Sequence, residues 1–220
     1  MPLFRDRKDA GRKLARALAE FVGMHVVVLG MPRGGVVVAR EVAEALSAPL
    51  DIVVTRKIGA PGEPEFALGA VTQEGDVIVD RQATASVGTT AEYLQEEVRR
   101  KKAEVSERMK NLRGDKPYPD LEGKTVVIVD DGMATGNSMR AAVQSVGRRG
   151  PKEVIVAVPV APSEAVSEIS REGVRVVCLE QPRFFFAIGQ FYSNFEQVED
   201  SEVRKLLEAA WKEGNFKSVG

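Results

Sequence analysis

The chain has 220 residues, of which 44% are hydrophobic, and its formal net charge at pH 7 is −1. This length can bury one sizeable core, while the nearly neutral charge argues against a nucleic-acid partner held by a broad basic surface. No apolar run approaches the roughly 18 residues of a membrane span, and residues 1–21 lack the apolar stretch of a signal peptide. We therefore expect a cytoplasmic protein without a membrane partner.

The scarcity of cysteine and histidine excludes several classes of site. Cys178 and His25 are the single residues of their types, which excludes a disulfide within the chain and a zinc site built from Cys and His. The same count argues against a Ser-His-Asp triad, because His25 opens an apolar run that is typical of a strand.

Apolar spacing divides the chain into strands and helices. In chain order, the predicted elements up to residue 124 are a helix at 6–21, a strand at 25–30, a helix at 35–48, a strand at 50–55, a hairpin of strands at 67–71 and 76–80, and a charged helix at 90–112. Those that follow are a strand at 125–130, a helix from 138 to 150, a strand at 153–160, a helix at 163–173 and a strand at 174–180.

The character of the strands indicates the class of fold. They are continuous apolar runs, and helices separate most of them, which is typical of parallel strands covered on both faces. We predict an α/β fold, a doubly wound and mostly parallel sheet with helices on both faces, formed as one domain over residues 1–220. Residues 85–122 are predicted to be a helical insertion or cap, and residues 180–220 a C-terminal hood or tail.

Ligands in such folds bind outside the carboxyl ends of the strands, where three unusual loops follow predicted strands. The first loop is GMPRGG, residues 30–35. Gly34 and Gly35 would let the backbone approach an anion, and Arg33 adds a positive charge. An ordinary turn between a strand and a helix is the alternative interpretation.

The second loop follows the strand at 50–55 and begins with Arg56 and Lys57. The residues that follow, up to Gly69, are rich in glycine and proline. Loops of this length without internal structure are often lids over a site. A disordered surface connection is the alternative interpretation.

The third loop carries the strongest signal. VVIVDDGMATGNS, residues 126–138, runs from an apolar strand through Asp130 and Asp131 into small and hydroxylated residues. Backbone N–H groups at the start of the following helix would hold a phosphate, and the two carboxylates would accept hydrogen bonds from a sugar diol. The predicted phosphate cradle consists of Ala134, Thr135, Gly136, Asn137 and Ser138. The alternative, an N-capped helix after a polar strand end, explains neither the second acid nor the small residues.

This motif resembles the phosphoribosyl pyrophosphate motif of the type I phosphoribosyltransferases, in which two acids at a strand end precede an Ala-Thr-Gly loop. MPRGG at 31–35 resembles the pyrophosphate loop of that family. Arg56 and Lys57 resemble the pair that follows the second strand in its adenine and orotate members. The three matches occur in the order of the family and cover residues 25–180 at the level of the fold.

The resemblance implies transfer of ribose 5-phosphate from phosphoribosyl pyrophosphate to a small-molecule acceptor, usually a nucleobase, with release of pyrophosphate. Arg33, Arg56 and Lys57 would neutralise the leaving pyrophosphate. Mg²⁺ would be required and would be held mainly by the substrate, so no protein ligand to a metal is predicted.

The acceptor stays open, because the sequence departs from two branches of the family. Ala134 stands where hypoxanthine-guanine members carry an aspartate that acts on the purine, and the predicted lid lacks the Lys and His of orotate members. We place the acceptor under segment 180–200, with Phe184, Phe186 and Tyr192 as candidates for stacking on a planar base. Core packing is the alternative for at least half of the aromatic residues there.

A regulatory protein that senses phosphoribosyl pyrophosphate without turnover is the alternative function, since some relatives combine such a site with nucleic-acid binding. The basic N-terminal segment would serve that role, but acidic residues interrupt it, which is typical of a solvated helix face. An inactive ligand-binding relative is a third interpretation. The sequence leaves the state of assembly open, a homo-oligomer included.

Overall fold

Two β-sheets organise the chain in a computed structural model that describes residues 2–217. The strands are β1 Val26–Gly30, β2 Leu50–Ile52, β3 Thr55–Ala60, β4 Glu63–Thr72, β5 Val77–Val79, β6 Thr125–Val129, β7 Glu153–Val160 and β8 Arg175–Glu180. The α-helices are α1 Arg7–Ala17, α2 Gly34–Leu46, α3 Arg81–Ser86, α4 Ala91–Arg113, α5 Asn137–Gly147, α6 Ser163–Arg171 and α7 Asp200–Lys217. Short 3-10 helices lie at Ala19–Phe21 and Ile188–Phe191.

The larger sheet has the strand order β2-β1-β6-β7-β8, and every neighbouring pair is parallel. Strand β1 lies in register between its two neighbours, with Val28 opposite Leu50 on one side and opposite Val127 on the other. This arrangement confirms the predicted doubly wound α/β fold. Because the strands run in one direction, the loops that follow β1, β2 and β6 leave the same edge of the sheet.

The apolar runs of the central strands fill two separate cores. Val26 and Val28 face the core that α1, α2, α4 and α7 cover, whereas Val27 and Leu29 face the core that α5 and α6 cover. Successive side chains of a strand point to opposite faces, so a sheet covered on both faces needs apolar residues at every position. This packing explains why the apolar residues of β1 and β6 form continuous runs and do not alternate with polar residues.

The smaller sheet corrects the prediction of a lid loop over residues 56–69. Strands β3, β4 and β5 form an antiparallel sheet, with a turn at Gly62 that adopts a positive φ of 76°. Ile58 and Leu68 are fully buried. Their burial offsets the conformational entropy that ordering a segment rich in glycine and proline costs. The predicted strand at 50–55 is likewise divided, since β2 ends at Ile52 and Thr55 begins the second sheet.

The predicted helical insertion at 85–122 and the predicted C-terminal segment at 180–220 each contribute a helix to the core. Helix α4 contributes Val105 and Leu112, and α7 contributes Val203 and Leu207. Helix α4 packs against β3, β4 and α7, and α7 also contacts α2 and β2. Within residues 2–217, none of the helices combines the length and the apolar character that crossing a membrane requires.

A buried ion pair fixes the end of α4 to the edge of the larger sheet. Arg113 donates from Nε and Nη2 to the two carboxylate oxygens of Asp51, at 2.5 and 2.7 Å. The two side chains are 6% and 4% exposed. Arg113 also donates to the carbonyl oxygens of Lys116 and Pro117, at 2.9 and 3.1 Å. Both charges are therefore compensated by direct contacts in a region that excludes water.

Replacing Arg113 by Met should lower the free energy of unfolding by about 3–5 kcal/mol, because Asp51 would stay buried without a partner. Urea denaturation of the variant and the parent chain measures this difference. Arg99→Met is the matched control, since Arg99 lies on the same helix but pairs with Glu96 in solvent, and it should leave stability unchanged. Equal stability of the two variants would contradict the assigned role of the buried pair.

Candidate active site

Three loops at the carboxyl edge of the larger sheet enclose a cavity of about 150 Å³. Its wall includes Pro32 from the loop after β1, Arg56 from β3, and Asp130 and Ser138 from the loop and helix after β6. Arg108 of α4 closes a further side. The structure therefore brings together predicted residues from the last two loops, with the backbone of the first loop beside them.

The two glycines of the first loop allow it to pack directly against the acids. A Cβ atom added at Gly34 would fall on the carboxylate of Asp131, and one added at Gly35 would lie 2.6 Å from Oδ1 of Asp130. The peptide bond between Pro32 and Arg33 is cis. The glycine pair is thus needed for close approach to the acids as well as for the predicted approach to an anion.

The predicted phosphate cradle forms the start of α5. Gly136 adopts a left-handed conformation, with φ of 76°, directly before the first helical residue, Asn137. As a glycine, it offers no side chain to accept a hydrogen bond from the first turn of α5. Ala134, Thr135 and Ser138 are exposed around it. The N–H groups of this helix end are therefore directed at the space in front of the loop, where they favour an anion.

Asp131 is paired with an arginine at the start of α1. Nε of Arg7 donates to Oδ2 of Asp131 at 2.6 Å, and both side chains are largely buried. Nη1 of Arg7 donates to the carbonyl oxygen of Glu196 at 2.7 Å, and the guanidinium group lies 3.8 Å from the ring centroid of Phe195. The charge pattern of the N-terminal segment predicts only a solvated face and gives no sign of this role for Arg7, because the contact joins residues 124 positions apart.

Asp130 is in a different environment from its neighbour. Its Oδ1 accepts a hydrogen bond from the backbone N–H of Asp131 at 2.8 Å, and its side chain lines the cavity. Burial raises the pKa of Asp130 well above the ordinary value, and the nearby charge of Asp131 adds to this effect. The two adjacent acids are therefore unequal, since Asp131 is neutralised by Arg7 and Asp130 faces the cavity.

The predicted cationic residues divide between two cavities. Arg56 lines the small cavity, and burial, followed by the charge of Arg108, lowers its pKa. Lys57 instead lines a neighbouring cavity of about 460 Å³, together with Phe66 and Ser138. Adjacent residues of a strand point to opposite faces, so β3 directs this pair to different sides. Arg33 lies within 3.8 Å of Asp200 at the start of α7.

The predicted acceptor residues are also placed differently from one another. Phe184 and Phe186 are 74% and 88% exposed, on a loop that the side chain of Gln190 holds through hydrogen bonds to backbone groups. Tyr192 is only 5% exposed, and its hydroxyl donates to the carbonyl oxygen of Asp131 at 2.5 Å. The prediction of a stacking surface is therefore corrected for Tyr192, whose ring packs against Phe4 within the protein.

A doubly wound sheet that gathers two acids, a diglycine loop and an uncapped helix start at one edge defines an α/β domain with a helix end that favours an anion. The chain belongs to the phosphoribosyl transferase domain family, whose model matches residues 6–196. This match confirms the family that the motif at 126–138 indicated.

Similar proteins are found at high coverage of this chain. Two curated relatives from strains of Mycobacterium tuberculosis, provisionally named phosphoribosyl transferases, are each 42% identical over 213 residues, or 97% of this chain. The chain spans about half the length of these relatives, at 48%. The crystal structure of TT1426 from Thermus thermophilus is 46% identical, with a TM-score of 0.83 over 94% of this chain and 98% of that chain.

A more distant structure shares the fold alone. The hypothetical protein from Neisseria gonorrhoeae that was crystallised with bound ppGpp is 14% identical, with a TM-score of 0.51 over 95% of this chain and 97% of that chain. The overall architecture is therefore retained at low sequence identity.

The raised pKa of Asp130 predicts a pH-dependent effect of replacing it by Asn. Between the ordinary pKa of about 4 and the raised value, the folded chain keeps a proton that the unfolded chain releases. The carboxyl group therefore destabilises the fold increasingly as pH rises through that window. Asp130→Asn should raise the melting temperature at pH 7.5 by about 2 °C or more, and the gain should vanish near pH 4.

Calorimetry of both chains across this pH range measures the difference. Asp131→Asn is the matched comparison and should lower the melting temperature at pH 7.5, because Arg7 would lose its buried partner. A gain from Asp130→Asn that is the same at pH 4 and pH 7.5 would show that burial of the charge is not the cause.

Proposed function

We propose that the chain transfers ribose 5-phosphate from phosphoribosyl pyrophosphate to a nitrogenous acceptor of the nucleobase type and releases pyrophosphate. The observation that carries this proposal is the shared cavity at the sheet edge. One acid, an uncapped helix start and two arginines of different elements line it or lie next to it. These groups match the three parts of the donor, which are a diol, a monophosphate and a diphosphate.

Each part of the donor would meet a different element. The first turn of α5 would bind the 5-phosphate through N–H groups, and Asp130 would accept hydrogen bonds from the ribose hydroxyls. Arg33, Arg56 and the amide groups of Gly34 and Gly35 would stabilise the charge that develops on the leaving pyrophosphate. Because these groups are fixed before the donor binds, little reorganisation would be needed as the bond to the anomeric carbon breaks.

A magnesium ion would enter this site bound mainly to the donor. No group of three His, Cys, Asp or Glu side chains within residues 2–217 is arranged to hold a metal. Asp130 lines the cavity as a single carboxylate, and Asp131 is already paired with Arg7. Mg²⁺ prefers oxygen ligands and keeps several waters, so diphosphate oxygens would supply most of its ligands. The ion would neutralise charge on the leaving group.

The C-terminal loop is the part of the proposed site that would meet the acceptor. Gly132, next to the acids, has no side chain, and a Cβ atom there would lie 2.6 Å from Ile188. The loop that carries Phe184 and Phe186 therefore sits against the start of the phosphate loop. Their exposed rings provide flat faces for a planar base, and stacking contributes about 1–3 kcal/mol per base.

A turnover assay tests the proposal. Pyrophosphate release is measured with phosphoribosyl pyrophosphate and Mg²⁺ against a panel of purines, pyrimidines and small amines. Arg33→Ala should reduce turnover by about 10²–10³-fold, because it removes a group that stabilises charge in the transition state. Arg99→Ala is the matched control, since Arg99 is exposed and pairs with Glu96 in solvent, and it should leave turnover unchanged. Absence of release with every acceptor would contradict the proposed reaction.

The alternative function is sensing of the same donor without turnover. The observation that favours it is the link from Asp131 through Arg7 to α1, because a ligand that shifts this ion pair would also shift the N-terminal helix. Calorimetry separates the two functions. Binding of phosphoribosyl pyrophosphate together with no pyrophosphate release from any acceptor would support the sensor.

A further inference from the structure

Helix α4 directs one arginine into the cavity at the sheet edge. Arg108 has a side chain that is only 18% exposed, whereas Arg99 of the same helix forms an ion pair in solvent. Its position differs because residue 108 follows the buried Val105 at a spacing of three, which places both on the inner face of the helix. Arg108 is therefore part of the cavity wall rather than of the charged surface.

Most of the hydrogen-bonding capacity of Arg108 is unused. Nη1 donates to Oδ2 of Asp200 at 2.7 Å, and within the described residues 2–217 this is the one hydrogen bond that the guanidinium group makes. A guanidinium group has five N–H donors in a planar fork, which matches two oxygens of a phosphate. Among the same described residues, Oδ1 of Asp200 is buried without a hydrogen-bond partner, and it lies 3.8 Å from Nη1 of Arg33. Arg108 therefore has unused hydrogen-bond donors, and Asp200 has an unused acceptor.

The arginines around this cavity outnumber the carboxylates that pair with them. Arg33, Arg56 and Arg108 contribute three cations, whereas Asp200 and Glu104 contribute two carboxylates, with Glu104 at 3.7 Å from Arg56. Burial lowers the pKa of Arg56, and the nearby charge of Arg108 adds to this effect. Like charges that approach each other in a partly buried cavity are stabilised when an anion binds between them.

We infer that Arg108 is a further pyrophosphate-binding residue of this site. The inference rests on the proposed function, and it adds a cation from α4 to Arg33 of the first loop and Arg56 of β3. Arg108 would bind two non-bridging oxygens of the diphosphate through its fork, in the geometry that makes Arg–phosphate contacts strong. It would therefore act on the diphosphate end of the donor and not on the ribose 5-phosphate end.

Titration calorimetry of the full chain with two probes tests this assignment. The probes are inorganic pyrophosphate and ribose 5-phosphate, each in the presence of Mg²⁺. Arg108→Gln should weaken pyrophosphate binding about tenfold, which corresponds to about 1.4 kcal/mol, and should change ribose 5-phosphate binding less than twofold. Arg108→Lys keeps the charge without the fork and should fall between the parent chain and the Gln variant. Arg99→Gln is the matched control on the same helix, since Arg99 pairs with Glu96 in solvent, and it should affect neither probe.

The possible outcomes separate this inference from the proposed function. Pyrophosphate affinity that is unchanged by Arg108→Gln overturns the inference. An equal loss for both probes also overturns it, and a melting temperature equal to that of the parent chain identifies such a loss as a binding effect. A selective loss of pyrophosphate affinity supports the inference even where the turnover assay finds no transfer, in which case the proposed reaction fails alone. A parent chain that binds neither probe overturns both.

Discussion

The ion pair between Arg7 and Asp131 is the contact on which the arrangement of the site depends. Asp131 follows a fully buried strand, where a carboxylate without a partner would cost several kcal/mol. Arg7 removes this cost and in turn needs its own partners, which are the carbonyl oxygen of Glu196 and the ring of Phe195. Tyr192 completes the group by bonding to the backbone of Asp131. The carboxylate of Asp131 therefore brings α1 and segment 192–196 to the same sheet edge.

This pairing gives two adjacent acids different properties. Asp131 is held between Arg7 and the diglycine loop, where a side chain at Gly34 would not fit. Asp130 points into the cavity, and its raised pKa shows that the free chain stabilises its charge poorly. A donor that brings hydroxyl groups and a magnesium ion would supply the missing stabilisation. The asymmetry thus follows from which acid the N-terminal helix can reach.

Local patterns in the sequence were sufficient to predict the parallel sheet and the helix start that follows Asp130 and Asp131. The apolar runs of β1 and β6 and the residues around Asp130 carry their signals within short segments, because burial on two faces and helix-end chemistry are local constraints. The hairpin over 56–69 was missed because its glycines and prolines imitate a loop, while its stability comes from Ile58 and Leu68 in a distant core. Contacts between residues far apart in sequence leave no such local signal.

The three arginines of the site likewise come from segments that are far apart in sequence. Arg33 belongs to a loop, Arg56 to a strand of the second sheet and Arg108 to a charged helix that was predicted to be an insertion or cap. Each element is anchored separately, α4 by Val105 and the Asp51–Arg113 pair, so the three cations are fixed near one another before any anion arrives. Their mutual repulsion is balanced only in part by nearby carboxylates. An anion that spans them would therefore join the loop, the second sheet and α4 in a single electrostatic contact, which gives the charged helix a role at the centre of the site.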